Sequence, residues 1–88
     1  MIQKLIDEVM DCFDFERVHK AMVALDWTWH DVDGVPDVYE IKKHARALLK
    51  DAIKRNVILS TGGFRVGFDP DEEVLFLEFI VDSWEAYK

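Results

Sequence analysis

The chain has 88 residues, half of them hydrophobic, with 18 acidic and 11 basic side chains and a formal charge of -7. A chain of this length builds one core, so a single domain over residues 1–88 is expected and disorder is excluded by the apolar fraction. The acidic balance argues against a molecule that wraps a nucleic-acid backbone as a whole. The only cysteine, Cys12, excludes an internal disulfide, and its expected role is that of a buried structural thiol.

Ile2, Leu5, Ile6, Val9 and Met10 recur at helical spacing, with Lys4, Asp7, Glu8 and Asp11 opposite, and predict a first amphipathic helix. Acidic residues within this first segment argue against a signal peptide, and no apolar run reaches membrane-spanning length, so no membrane partner is expected. Asp14 is placed to cap a second helix whose apolar side is Val18, Ala21, Met22 and Leu25. His19 lies at the boundary of that stripe. No second metal-binding residue follows it at helical spacing, and no metal site is expected.

The period breaks at Asp26-Trp27-Thr28-Trp29-His30. In an extended segment Trp27 and Trp29 project to one side, where they either clamp helices to a sheet or form a stacking platform for a ligand. Asp31 to Pro36 is loop, and the spacing of Asp31, Asp33 and Asp37 lacks the glycine and terminal glutamate of a calcium loop. Asp37 and Glu40 have the spacing of a capping box.

The third helix is the clearest element, with Val38, Ile41, Ala45, Leu48, Leu49, Ala52 and Ile53 on one face through Asp37 to Arg55. Lys42, Arg46, Lys50 and Lys54 make a basic stripe on it, read either as a solvated face that balances neighbouring carboxylates or as a phosphate-attracting one. Asn56 suits a left-handed C-cap. The expected core comprises Leu25, Ile41, Leu48, Leu49, Ile53, Leu77 and Phe79.

Residues 57–61 and 64–68 favour extended structure, with Gly62-Gly63 either as a two-residue hairpin turn or as a bend in one long strand. After a turn at Asp69 to Glu73, a last strand over residues 74–81 is apolar on both faces: Leu75, Leu77, Phe79 and Val81 on one, Val74, Phe76 and Ile80 on the other. The expected fold is α+β, with two or three N-terminal helices packed on one face of a small C-terminal antiparallel sheet. The second face then lacks a cover, which predicts a homo-oligomer. The polar-aromatic segment 82–88 is expected to add a helical turn.

Catalysis needs a nucleophile with its base, tuned carboxylates or a metal, and none is spelled out, since His19, His30 and His44 fall in three different elements. No catalytic residue and no cofactor are expected, and the chain reads as non-enzymatic. The candidate ligand site is Ser60, Thr61, Gly62, Gly63 and Arg65, with Trp27 and Trp29. The hydroxyls and glycine amides would cradle a phosphate, Arg65 would pair with it, and an indole would stack on a base. The same residues also read as a glycine hairpin pinned by a hydroxyl.

The run Phe13 to Met22, then Leu25-Asp26-Trp27-Thr28-Trp29, Val35-Pro36, Leu48-Leu49 and Ser60-Thr61-Gly62-Gly63-Phe64, resembles a family of small proteins encoded by tailed bacteriophages. No established activity attaches to that family, so the resemblance lends a setting and no site residue. It implies an accessory protein in the cytoplasm of an infected bacterium. Two functions fit that setting: a counter-defence sponge that sequesters a host immune signalling nucleotide, or a protein-protein inhibitor or adaptor that meets a host or defence enzyme through an acidic or apolar surface.

Overall fold

In the computed structural model the described residues are 2–29 and 33–79. Three helices, α1 (Ile2–Cys12), α2 (Phe15–Ala24) and α3 (Val38–Arg55), precede three strands, β1 (Leu59–Thr61), β2 (Phe64–Asp69) and β3 (Val74–Phe79). The strands pair in sequence order, antiparallel throughout, so the expected α+β arrangement with N-terminal helices and a C-terminal antiparallel sheet is the observed one. His30, Asp31, Ile80, Val81 and the 82–88 segment lie outside the described residues.

Local chemistry sets the boundaries. Asp14 caps α2 by accepting from the Arg17 amide at 3.1 Å. Asp37 and Glu40 form the reciprocal capping box at α3: the Glu40 amide donates to Asp37 Oδ1 at 2.8 Å, and the Asp37 amide to Glu40 Oε1 at 3.4 Å. Asn56 ends α3 in the left-handed region, at φ 54° and ψ 47°, which an asparagine side chain tolerates. In the turn before β3, Asp69 Oδ1 accepts from the amides of Asp71 and Glu72.

The core lies between the helices and one sheet face. Val18, Met22, Ile41, Ala45, Leu49, Ala52, Phe64 and Val66 are fully buried, and Ile6, Phe15, Leu48 and Phe79 nearly so. Burying a side chain of the Phe64 or Leu49 class contributes about 1.5–3 kcal/mol, so this two-layer seam carries the fold. Of the expected core, Ile41, Leu48, Leu49 and Phe79 are buried, whereas Leu25, Ile53 and Leu77 are half-buried and pack against it from the margin. Met22, Val18, Phe64 and Val66 contribute more of the centre than they do.

One expectation is overturned. Cys12 is exposed, because it closes α1 on the side away from Ile6 and Met10, the residues that α1 buries. No helix among the described residues is long and apolar enough to cross a membrane.

Candidate functional site

Gly62 and Gly63 form the two-residue turn of a tight hairpin, with Thr61 paired to Phe64, Ser60 to Arg65 and Leu59 to Val66. Both glycines have positive φ, 62° and 93°, the backbone of a primed turn that matches the twist of the flanking strands. This settles the hairpin over the single bent strand.

The turn is closed from the helix side. A Cβ on Gly62 would lie 2.5 Å from His44 Nε2, and one on Gly63 would lie 3.2 Å from the Phe79 ring and 3.4 Å from Trp27. His44 comes from the middle of α3, and its Nε2 sits 3.4 Å from the Thr61 carbonyl, close enough for the ring N–H to donate when the proton is on that nitrogen. Trp29 packs on His44 with ring centroids 4.7 Å apart, Trp27 leans on Phe79 at 6.4 Å, and Phe64 touches both His44 and Phe79. The two tryptophans therefore clamp the α2–α3 connection onto the hairpin. The Trp29 indole N–H is buried and has no hydrogen-bond acceptor among the described residues.

The other side of the hairpin is open. Successive strand residues face opposite ways, so Ser60 shares the outer face with its partner Arg65, whereas Thr61 shares the inner face with Phe64. Arg65 pairs in turn with Glu78 on β3, Nη1 to Oε2 at 3.5 Å, both side chains about half exposed, and its guanidinium lies 5.8 Å from the Phe76 ring centre. Ser60, Arg65 and Glu78 thus form one row across the sheet. An apolar strip continues it: Phe76 lies over Gly67, where a Cβ would meet the ring at 2.3 Å, beside Ile58 and Val74. Ile58 is 59% exposed and Val74 51%.

The structure therefore gathers all seven candidate residues at one end of the molecule and divides them. Ser60 and Arg65 face out, Trp27 and Trp29 pack on the inner side, Thr61 lies at the β1 edge, and Gly62 and Gly63 separate the two groups. His44 and Glu78 complete the two halves. Sequence reasoning missed both, since His44 lies 17 residues before Thr61 and its contact depends on how α3 crosses the hairpin.

Clefts also lie elsewhere among the described residues. One of about 360 Å³ between the start of α1 and the β2–β3 turn has Ile2, Leu5, Phe68 and Pro70 with Lys4, Glu8 and Glu73. Another, about 240 Å³, lies at the α1–α2 corner, with Asp11, Asp14 and Glu16 beside Lys42. No group of three or more His, Cys, Asp or Glu side chains among the described residues is arranged to hold a metal ion.

The basic stripe of α3 is partly answered by α1. Arg46 Nη1 lies 2.9 Å from Asp7 Oδ1. That hydrogen bond, with one from Gln3 and the more distant charge of Lys50, lowers the Asp7 carboxyl below its ordinary value.

The fold and the site define a small α+β domain, three helices on a three-stranded antiparallel meander with one sheet face uncovered among the described residues. Searches of protein-family models, curated proteins and solved structures found no match to this chain.

Proposed function

We propose that the protein is a non-enzymatic interaction module whose outer sheet face is its protein-contact surface. The observation that carries this reading is the apolar strip of exposed Ile58 and Val74 with half-buried Phe76 between them, without a covering helix among the described residues and bordered by the Arg65–Glu78 pair. Apolar area with a polar border is the anatomy of a protein interface. The border is self-complementary: a second copy related by a two-fold axis sets Glu78 against Arg65 and Arg65 against Glu78. The contact proposed is thus a homodimer. In the setting that the phage resemblance implies, such a dimer is an inhibitor or adaptor in the cytoplasm of the infected bacterium.

Sedimentation velocity across micromolar concentrations tests this. The wild type should sediment as a dimer, and Phe76→Glu and Ile58→Asp should each yield a monomer with an unchanged far-ultraviolet spectrum. A wild type that stays monomeric throughout that range refutes the self-association.

The nucleotide-sponge reading retains one favourable observation, the exposed Ser60 directly opposite the exposed Arg65. Its phosphate would lie on the outer face, away from Trp27 and Trp29. A panel of signalling nucleotides that raises Tm in the wild type and fails to do so in Arg65→Ala would favour it. A flat panel leaves the protein-contact reading in place.

A further inference from the structure

The charge of this chain is divided in space. Val38–Arg55 carries six basic side chains against Glu40 and Asp51, a net +4, while the rest of the chain has five basic and sixteen acidic side chains, a net -11. Within α3, Tyr39, Lys43, Arg46, Lys50 and Lys54 follow one another by four, three, four and four residues. At about 100° per residue they fall inside an arc of about 80°, opposite the buried stripe of Ile41, Ala45, Leu48, Leu49 and Ala52, and they run along about 22 Å of helix.

Two features set this row apart from an ordinary solvated helix face. Tyr39 is 73% exposed, the most exposed large hydrophobic side chain among the described residues, and it stands one turn before Lys43. Lys43, Lys50 and Lys54 are exposed and make no ion pair among the described residues, whereas Arg46 is held by Asp7. We propose that the outer face of α3 binds single-stranded nucleic acid, with Lys43, Lys50 and Lys54 on phosphates along the strand and Tyr39 stacked on a base.

The total charge does not decide the matter, because fields from exposed charges decay within about 8–10 Å near physiological salt. Over that range a ligand along α3 meets the cations of its own arc and the carboxylate of Asp7, which Arg46 already neutralises. A lone tyrosine face is sequence-tolerant, so recognition of the strand rather than of its sequence is expected. An acidic peptide would satisfy the lysines equally but would leave Tyr39 without a purpose. This surface lies on the far side of the helix layer from the sheet face, and the inference stands independently of the homodimer.

The test is fluorescence anisotropy of a labelled oligothymidylate of about 15 nucleotides, within the span of a single-strand site, titrated with the full chain at several salt concentrations. Binding at low salt should weaken with a log–log slope of about -2, as three neutralised phosphates on a single strand require. Lys50→Glu with Lys54→Glu should abolish it, Tyr39→Ala should weaken it about fivefold or more, and Tyr39→Phe should restore it. Circular dichroism checks that each variant keeps its helices. Absence of binding by the folded wild type at every salt concentration from low to physiological overturns the proposal. So does binding that polyglutamate displaces equally well and that Tyr39→Ala leaves unchanged, the signature of an acidic-peptide surface.

Discussion

Gly62 is the position where the hairpin and the helix layer constrain each other most tightly, and Gly62→Ala measures that constraint. At φ 62° an alanine meets its own backbone in the left-handed region, at a cost of about 1–2 kcal/mol. The added Cβ also lies 2.5 Å from His44 Nε2, so the imidazole must swing off Trp29, its neighbour at 4.7 Å. Overpacking of that kind costs about 1–3 kcal/mol more. The expected total is about 2–5 kcal/mol, read as a shift in urea midpoint with unchanged slope. In a His44→Ala background the same substitution should cost only the backbone share, and Gly62→Asn in that background should cost less again, since asparagine tolerates the left-handed region. The reasoning is refuted if Gly62→Ala is equally costly with and without the imidazole.

Further outcomes follow from the same packing. Leu49→Ala, at a fully buried position of α3, should lose about 2–5 kcal/mol in chemical denaturation, and a negligible loss would mean that α3 presents another face to the sheet. Asp37→Ala removes the acceptor of the capping box and should cost about 1 kcal/mol, with the helix signal fraying first at the start of α3. The Asp7 carboxyl is depressed by Arg46, so its contribution is fully present above its ordinary value of 3.8 and is lost as pH falls through the lower folded value. Asp7→Asn should accordingly be less stable than wild type at neutral pH, and the two thermal curves should converge in strong acid. A gap that persists there would assign the effect to something other than ionisation.

Much of the fold was legible because the relevant signals are local. The reciprocal box at Asp37 and Glu40, the left-handed cap at Asn56 and the apolar period of α3 each depend on neighbours within one or two turns, and all appear where the spacing placed them. The alternation of β3 also told its two faces apart, with Leu75, Leu77 and Phe79 turned to the helices and Val74 and Phe76 away. What sequence could not reveal was long-range. The glycines at Gly62 and Gly63 signalled close approach, but an approaching imidazole and indole leave the same trace as an approaching phosphate. Ser60 and Thr61 looked like one donor pair, yet a strand sends consecutive side chains to opposite faces. Cys12 failed for a different reason: the general tendency of free cysteines to be buried yields to which side of a short helix the residue occupies.

The order of elements along the chain bears on how the protein is made. All three helices are synthesised before any strand, yet their apolar faces are covered by Phe64, Val66 and Phe79, which belong to β2 and β3. From the end of α3 at Arg55 to Phe79 at the end of β3, synthesis at about 5–20 residues per second takes on the order of 1–5 s, and for that interval the completed helices have only one another to pack against. Once the strands emerge, assembly should be quick, because every strand pair joins neighbours in sequence through a short turn. That interval is thus the period of greatest exposure to aggregation and to chaperones, and it ends when the turns at Gly62-Gly63 and before Val74 bring β2 and β3 onto the helices.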